Sequence, residues 1–165
     1  MLYQLGQRFE QTGNFERAKE FYQKAYDMQP FNLSYLTSLN NVFIVLKEYD
    51  NSIQLLNTRL TENPDDLNSI SLLGTTYYTQ GDTIQAYEVW EKGLSTNNNA
   101  MARYRVIINT AIDNRAFNKA VEYLKRAKKQ DFSSPVFSLD LAYIYSITMN
   151  YEKAAVEYLN VLKQY

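Results

Sequence analysis

Gly6 to Pro30 reads GQRFEQTGNFERAKEFYQKAYDMQP, and the rest of the chain varies that stretch at a fixed step. Moving 68 residues from Gly6 and Gly13 reaches Gly74 and Gly81, and moving 34 from Pro30 reaches Pro64. Steps of 34 from Phe15 give Tyr49, Thr83, Phe117 and Tyr151. The same step from Ala18 gives Ser52, Ala86, Ala120 and Ala154, and from Tyr22 it gives Leu56, Trp90, Leu124 and Tyr158. Five ungapped copies account for all 165 residues. A period in this range marks a stacked repeat architecture, in which each unit buries its apolar face only against its neighbours.

Each copy reads as two amphipathic helices joined by a tight turn. Leu2, Leu5 and Phe9 share one helical stripe. Gly13 breaks it, Asn14 offers an N-cap, and Phe15, Ala18, Tyr22 and Ala25 begin a second stripe. Pro30 ends that helix, since the residue before a proline is pushed out of the helical region. Asn32 and Asp66 then cap the helices that follow, and Ser134 caps a helix opened by Pro135. Asn97–Asn99 stand where a terminal proline would fall in the third copy. The period predicts first helices at 2–12, 34–46, 68–80, 102–114 and 136–148. Second helices fall at 15–28, 49–62, 83–96, 117–130 and 151–164. Gly6, Gly74 and the recurrent alanines let helices approach closely beside large aromatics. Of the 15 tyrosines, Tyr22, Tyr49, Tyr77, Tyr145, Tyr151 and Tyr158 fall in packing slots, as does Trp90.

Composition narrows the chemistry. Hydrophobic residues make up 45% and charged residues 21%, an ordinary folding balance. The net charge of −1 argues against nucleic acid and against electrostatic attachment to an anionic membrane. The chain has no Cys and no His, which removes Cys/His zinc sites, disulfides, cysteine nucleophiles and histidine triads. No metal or other cofactor is expected. No window is apolar enough for a transmembrane helix, and the N-terminus lacks a signal-peptide layout, which tilts the location toward the cytoplasm. Met1 falls inside the first copy, so an origin in a longer chain stays open.

The chain resembles the tetratricopeptide repeat family. The first copy supplies Leu2, Leu5–Gly6, Phe9, Ala18, Tyr22, Ala25 and Pro30, and the third supplies Ile70, Leu73–Gly74, Tyr77, Ala86 and Trp90. The departures are Asn40 and Ile108 in the Gly slot, Arg59 in the last Ala slot, Ala111 for an aromatic, and no terminal Pro in copies three and four. The resemblance implies an all-α, right-handed α-solenoid of five helix-turn-helix hairpins, about ten antiparallel helices. It implies a single domain over 1–165, with repeats near 1–32, 33–66, 67–100, 101–134 and 135–165. It also implies a concave groove lined by first helices, used to bind a peptide or partner protein without catalysis.

On that reading the groove carries Tyr3, Gln7, Thr37, Asn41, Thr75, Tyr78, Arg105, Asn109, Ile112 and Tyr143. Gln11, Ile44, Ser71, Leu139 and Ile147 complete the matched slots. The surface is neutral-polar with aromatic insertions, and Arg105 is its clearest cation, with Asp113 and Asp140 nearby. Asn41 and Asn109 occupy one slot two copies apart. They suit an extended peptide backbone, and equally a solvated helix surface or a bond to a neighbouring repeat. The Lys/Asn/Arg clamp of chaperone-binding members has no counterpart, since Tyr3, Gln7, Ser38, Asn68 and Leu72 stand in its slots. The basic run Lys125, Arg126, Lys128 and Lys129 ends a second helix, where it complements the helix dipole on a solvated face. One second-helix slot reads Glu20, Gln54, Glu88, Glu122 and then Val156. The slot three residues on reads Gln23, Asn57, Glu91, Lys125 and then Leu159. Surface drift is one reading of this change. The other is that Val156, Leu159 and Leu162 meet a further helix, another domain or another copy of the chain. A structural assembly subunit, or a repeat region cut from a larger protein or enzyme, is therefore the alternative to a peptide-binding scaffold.

Overall fold

A computed structural model describes residues 1–95, 99–130 and 135–163. Among them lie ten α-helices and no strand: α1 (Leu2–Gln11), α2 (Phe15–Met28), α3 (Leu33–Val45), α4 (Tyr49–Glu62), α5 (Leu67–Gln80), α6 (Thr83–Leu94), α7 (Ala100–Asp113), α8 (Phe117–Lys129), α9 (Pro135–Ile147) and α10 (Tyr151–Leu162). Every helix expected from the 34-residue step is present within two residues at each end. Pro135 opens α9 as expected, whereas Asn97, Asn98 and the proposed cap Ser134 lie outside the described residues. The chain divides into two compact units, Met1–Gly93 and Leu94–Tyr165.

The helix starts follow from capping chemistry. The Asn14 side chain accepts from the Arg17 amide at 3.2 Å, and Asn32 accepts from Ser34 and Tyr35. Asp66 accepts from the Asn68 amide at 3.2 Å and Asp82 from Gln85 at 3.0 Å. Each satisfies amides that the first helical turn leaves without partners.

The turns inside the hairpins share one backbone circuit. Gly13, Lys47, Gly81, Arg115 and Met149 are 34 residues apart, and all five have positive φ, from 58° to 99°. Around each, the next amide reaches back five residues: Asn14 to Phe9, Glu48 to Phe43, Asp82 to Tyr77, Ala116 to Ala111 and Asn150 to Tyr145, at 2.7–2.9 Å. The positive-φ residue itself donates three residues back, as Gly13 does to Glu10 at 2.9 Å. This is the Schellman closure, which needs one left-handed residue after the helix. Glycine fills it without steric cost only in the first and third hairpins.

Packing between the two helices of a hairpin is set by a pair of complementary slots. Gly6 faces Tyr22, and an added Cβ would lie 2.5 Å from the Tyr22 ring. Gly74 faces Trp90 in the same way. Where the first slot holds the larger Asn40 or Ile108, the second holds Leu56 or Leu124. A larger residue in the first slot is matched by a smaller one in the second, as a close-packed interior favours. Tyr22, Leu56, Trp90 and Leu124 are all fully buried.

Within the first unit, Ala18 and Tyr22 of α2 form one core cluster with Leu39, Val42 and Phe43 of α3, and Phe15, Tyr26 and Leu46 pack against it. Farther on, the core is polar. Asn40, Ser52 and Thr76 are fully buried. Ser52 Oγ donates to Asn40 Oδ1 at 2.5 Å and lies 2.8 Å from Thr76 Oγ1, joining α3, α4 and α5. Arg59, in the last Ala slot of the second hairpin, ties three segments together. Its guanidinium donates to the Pro30 carbonyl, to Ser69 Oγ at 3.2 Å and to Asp66 Oδ2 at 3.2 Å. An ion-paired knot thus replaces the small-residue packing found at Ala25 and Ala127.

Two tyrosines depart from the sequence expectation. Tyr151 and Tyr158 occupy packing slots by period, yet they are 66% and 44% exposed. The Tyr158 counterparts Tyr22, Leu56 and Leu124 are buried where α3, α5 and α9 pack on α2, α4 and α8, so burial belongs to the neighbour and not to the slot. Tyr22, Tyr145 and Trp90 are buried as expected.

Candidate partner-binding faces

In the first unit, α3 contacts α5 directly, and the groove positions expected on α1, α3 and α5 divide into two groups. Gln7, Gln11 and Asn41 are exposed and open to a ligand. Tyr3 and Tyr78 are half-buried and belong to aromatic clusters. The Tyr3 ring lies 5.4 Å from Tyr22 and 4.8 Å from Tyr35, and its hydroxyl is 3.1 Å from Ser38 Oγ. Tyr78 stacks on Trp90 at 5.7 Å and tilts against Tyr87 at 6.2 Å. Both rings brace the hairpins and present only part of their area. Thr37, Thr75 and Ile44 are half-buried.

The second unit presents a different face on α7 and α9. Leu139, Tyr143 and Ile147 are spaced at i, i+4 and i+8 along α9 and are 42%, 53% and 44% exposed. Asn109 on α7 is exposed, while Arg105 and Ile112 are half-buried. Asp140 sits beside this stripe. Burial raises its carboxyl above the usual range, and the Arg105 charge opposes that only in part. An apolar stripe bordered by one cation and one carboxylate can take the apolar side chains and polar backbone of a peptide or helix. Asn41 and Asn109, matched by period, fall in different compact units.

Sequence reasoning missed a cleft on the second helices of the first unit. It measures about 640 Å³ and lies between α2 and α4, with Tyr26, Phe43 and Leu55 as its apolar lining. Lys19 at its edge donates to Glu48 at 2.5 Å and lies 2.8 Å from Glu16. The hydrogen bonds to Glu16 and Glu48 hold the Lys19 ammonium above its usual value, and Lys19 holds the Glu48 carboxyl below. The positive charge is therefore neutralised within the protein.

The basic run of α8 is also partly paired, with Lys128 2.7 Å from Glu157 and Arg126 3.7 Å from Glu122. Among the described residues no cluster of His, Cys, Asp or Glu could hold a metal, and no helix is long and apolar enough to cross a membrane.

Val156, Leu159 and Leu162 on α10 are 56%, 54% and 69% exposed. Only Ala154 of that helix is buried.

Residues 1–32 match the sequence model of the family described as "Tetratricopeptide repeat". A stretch of 78 residues is 32% identical to the BBSome complex member BBS4 of Bos taurus, covering 47% of this chain and 15% of that protein. TTC0263, a thermophilic tetratricopeptide-repeat protein of Thermus thermophilus, superposes with a TM-score of 0.56 at 19% identity, over 99% of this chain and 89% of its own. A tetratricopeptide repeat protein from Parabacteroides merdae gives 0.58 at 17% identity, over 98% of this chain and 63% of its own. Residues 1–32 are thus a tetratricopeptide repeat, and the ten helices carry the tetratricopeptide-repeat fold as five helical hairpins.

Proposed function

We propose that the chain is a non-catalytic scaffold that holds a peptide or a helix of a partner protein against its first helices. Proteins of this fold generally mediate protein–protein contacts, and the described residues offer no arrangement of nucleophile, base and orienting group. The observation that carries the reading is the exposed Leu139, Tyr143 and Ile147 stripe on α9, beside Arg105 and Asp140. A rigid helix presents these side chains in fixed register, which lowers the ordering cost of binding. Asn109 beside that stripe supplies polar contacts to a backbone, as Gln7 and Asn41 do on the first unit's own face. The ligand is not a terminal carboxylate held by a cationic clamp, because those slots hold neutral residues. The test is a pull-down with wild type against Asn41→Ala, Asn109→Ala, Tyr143→Ala. Partners lost from the triple variant are groove ligands; an unchanged partner set rejects the groove.

A second reading, an assembly subunit, draws on α10. Val156 and Leu159 stand exposed in slots that are polar in the preceding hairpins, Leu162 is exposed beside them, and the BBS4 relative is by its name a member of a complex.

A further inference from the structure

We propose that α10 pairs antiparallel with α10 of a second copy, giving a twofold dimer. The repeats themselves show what the exposed face of α10 is shaped to receive. In the first hairpin, Phe15, Tyr22 and Tyr26 of α2 pack in one cluster with Leu39, Val42 and Leu46 of α3. Their counterparts four repeats on are Tyr151, Tyr158 and Leu162, which stand 66%, 44% and 69% exposed. Inside the second unit, Leu124 of α8 fills the same slot as Tyr158 and is fully buried, with α9 packed on α8. The face is therefore a seat for an antiparallel helix.

The covering helices share a spacing. Tyr35, Leu39, Val42 and Leu46 follow i, i+4, i+7 and i+11, as do Phe137, Leu141, Ile144 and Thr148. On α10 the exposed residues Tyr151, Ala155, Tyr158 and Leu162 follow the same spacing. At about 100° per residue they fall within about 60° of arc. The helix offers the pattern it needs, which is the condition for an isologous contact. The N-terminal face does not. The matching slots of α1 are Met1, Leu5, Arg8 and Thr12, with Arg8 and Thr12 exposed and polar, so head-to-tail stacking lacks a partner stripe.

Charge placement agrees. With the stripe centred between Val156 and Glu157, antiparallel pairing sets Tyr151 opposite Leu162 of the second copy. Glu152 and Lys163 lie on the same flank of α10, about 100° and about 120° round from Tyr151. A twofold axis across the pair brings Glu152 of one copy to the Lys163 end of the other. Leu159, about 80° round from Tyr151, lies on that flank beside the pairing stripe, while Val156 at about 140° faces away from it. A 12-residue helix is about 18 Å long, so the contact is smaller than the roughly 800 Å² per partner of a tight complex, and the dimer is concentration-dependent.

This deepens the assembly reading and is independent of the groove reading: one is read by mass, the other by pull-down. The experiment is sedimentation equilibrium of the chain from about 10 μM to about 500 μM. The expected result is a monomer–dimer equilibrium. Tyr158→Glu with Leu162→Glu should abolish it while far-UV circular dichroism is unchanged. Glu152→Lys should weaken association several-fold, and Glu152→Lys with Lys163→Glu should restore it. A wild type that stays monomeric throughout overturns the proposal. So does a dimer that persists in the Tyr158/Leu162 variant, or a charge swap that restores nothing. Binding of an unrelated helix with no self-association would assign the face to a partner and would equally overturn the homodimer.

Discussion

Substituting Gly74 by Ala is the sharpest probe of how a hairpin is packed. In an exposed helix, Gly→Ala stabilises by about 0.8–1 kcal/mol, because alanine restricts the unfolded chain. At Gly74 the new Cβ would overlap Nε1 and Cδ1 of the Trp90 indole and lie 2.8 Å from Cε2. Carbon contacts in proteins are optimal near 3.5–4.0 Å, so the ring must move by about 1 Å or more. It has no free direction. Trp90 is fully buried, with Tyr78 at 5.7 Å and Tyr87 at 5.8 Å. Overpacking of this kind costs about 1–3 kcal/mol, and after the propensity gain the expected net loss is about 0–2 kcal/mol. The measurement is urea denaturation followed by circular dichroism, with Trp90 fluorescence as a second signal. The decisive comparison is a double-mutant cycle. In a Trp90→Leu background, which copies the Leu124 slot, Gly74→Ala should become neutral or stabilising, giving a coupling of about 2 kcal/mol. If Gly74→Ala stabilises the protein equally in both backgrounds, the complementary-slot account is wrong.

Two further outcomes follow from local geometry. Arg115 is held at φ 58°, a region that L-residues avoid by about 1–2 kcal/mol, so Arg115→Gly should raise stability by about 0.5–1 kcal/mol after the added unfolded-state entropy; an unchanged or lower urea midpoint would contradict this. The Asp66 carboxyl is the second. Burial alone would raise it, but hydrogen bonds from Ser69 and Arg59 and the Arg59 charge outweigh burial and hold it below its usual value. A carboxyl lower in the folded than in the unfolded state adds stability above its unfolded pKa. That contribution is lost as pH falls through the folded value. Asp66→Asn should therefore lower stability at pH 7 and flatten the acid limb below about pH 4; parallel acid limbs for wild type and variant would refute it.

The helices were legible because a 34-residue period carries caps, stripes and breakers together. Asn14, Asn32 and Asp66 act as caps as their chemistry requires. What escaped was everything decided by a neighbour. Tyr3 and Tyr78 fall on the expected groove face by register, yet rings contributed by Tyr22, Tyr35 and Trp90 draw them into clusters. Tyr151 and Tyr158 look like core by register and are exposed, because burial in a repeat is supplied by the following hairpin. The cleft between α2 and α4 depends on two helices from different hairpins, which a one-helix stripe does not display. The left-handed turn residues were visible where glycine marks them, at 13 and 81, and hidden behind Lys47, Arg115 and Met149.

Those five turns have a consequence in terms of chirality. Each hairpin contains one residue whose backbone has the handedness natural to a D-amino acid, and all five of these residues are exposed. Backbone hydrogen bonds alone impose it, since glycine, lysine, arginine and methionine all comply. A chain assembled by chemical ligation with D-alanine at 13, 47, 81, 115 and 149 would keep every turn and lose only the competing conformations. Besides glycine, the mirror-image residue is the substituent for which these positions carry no strain.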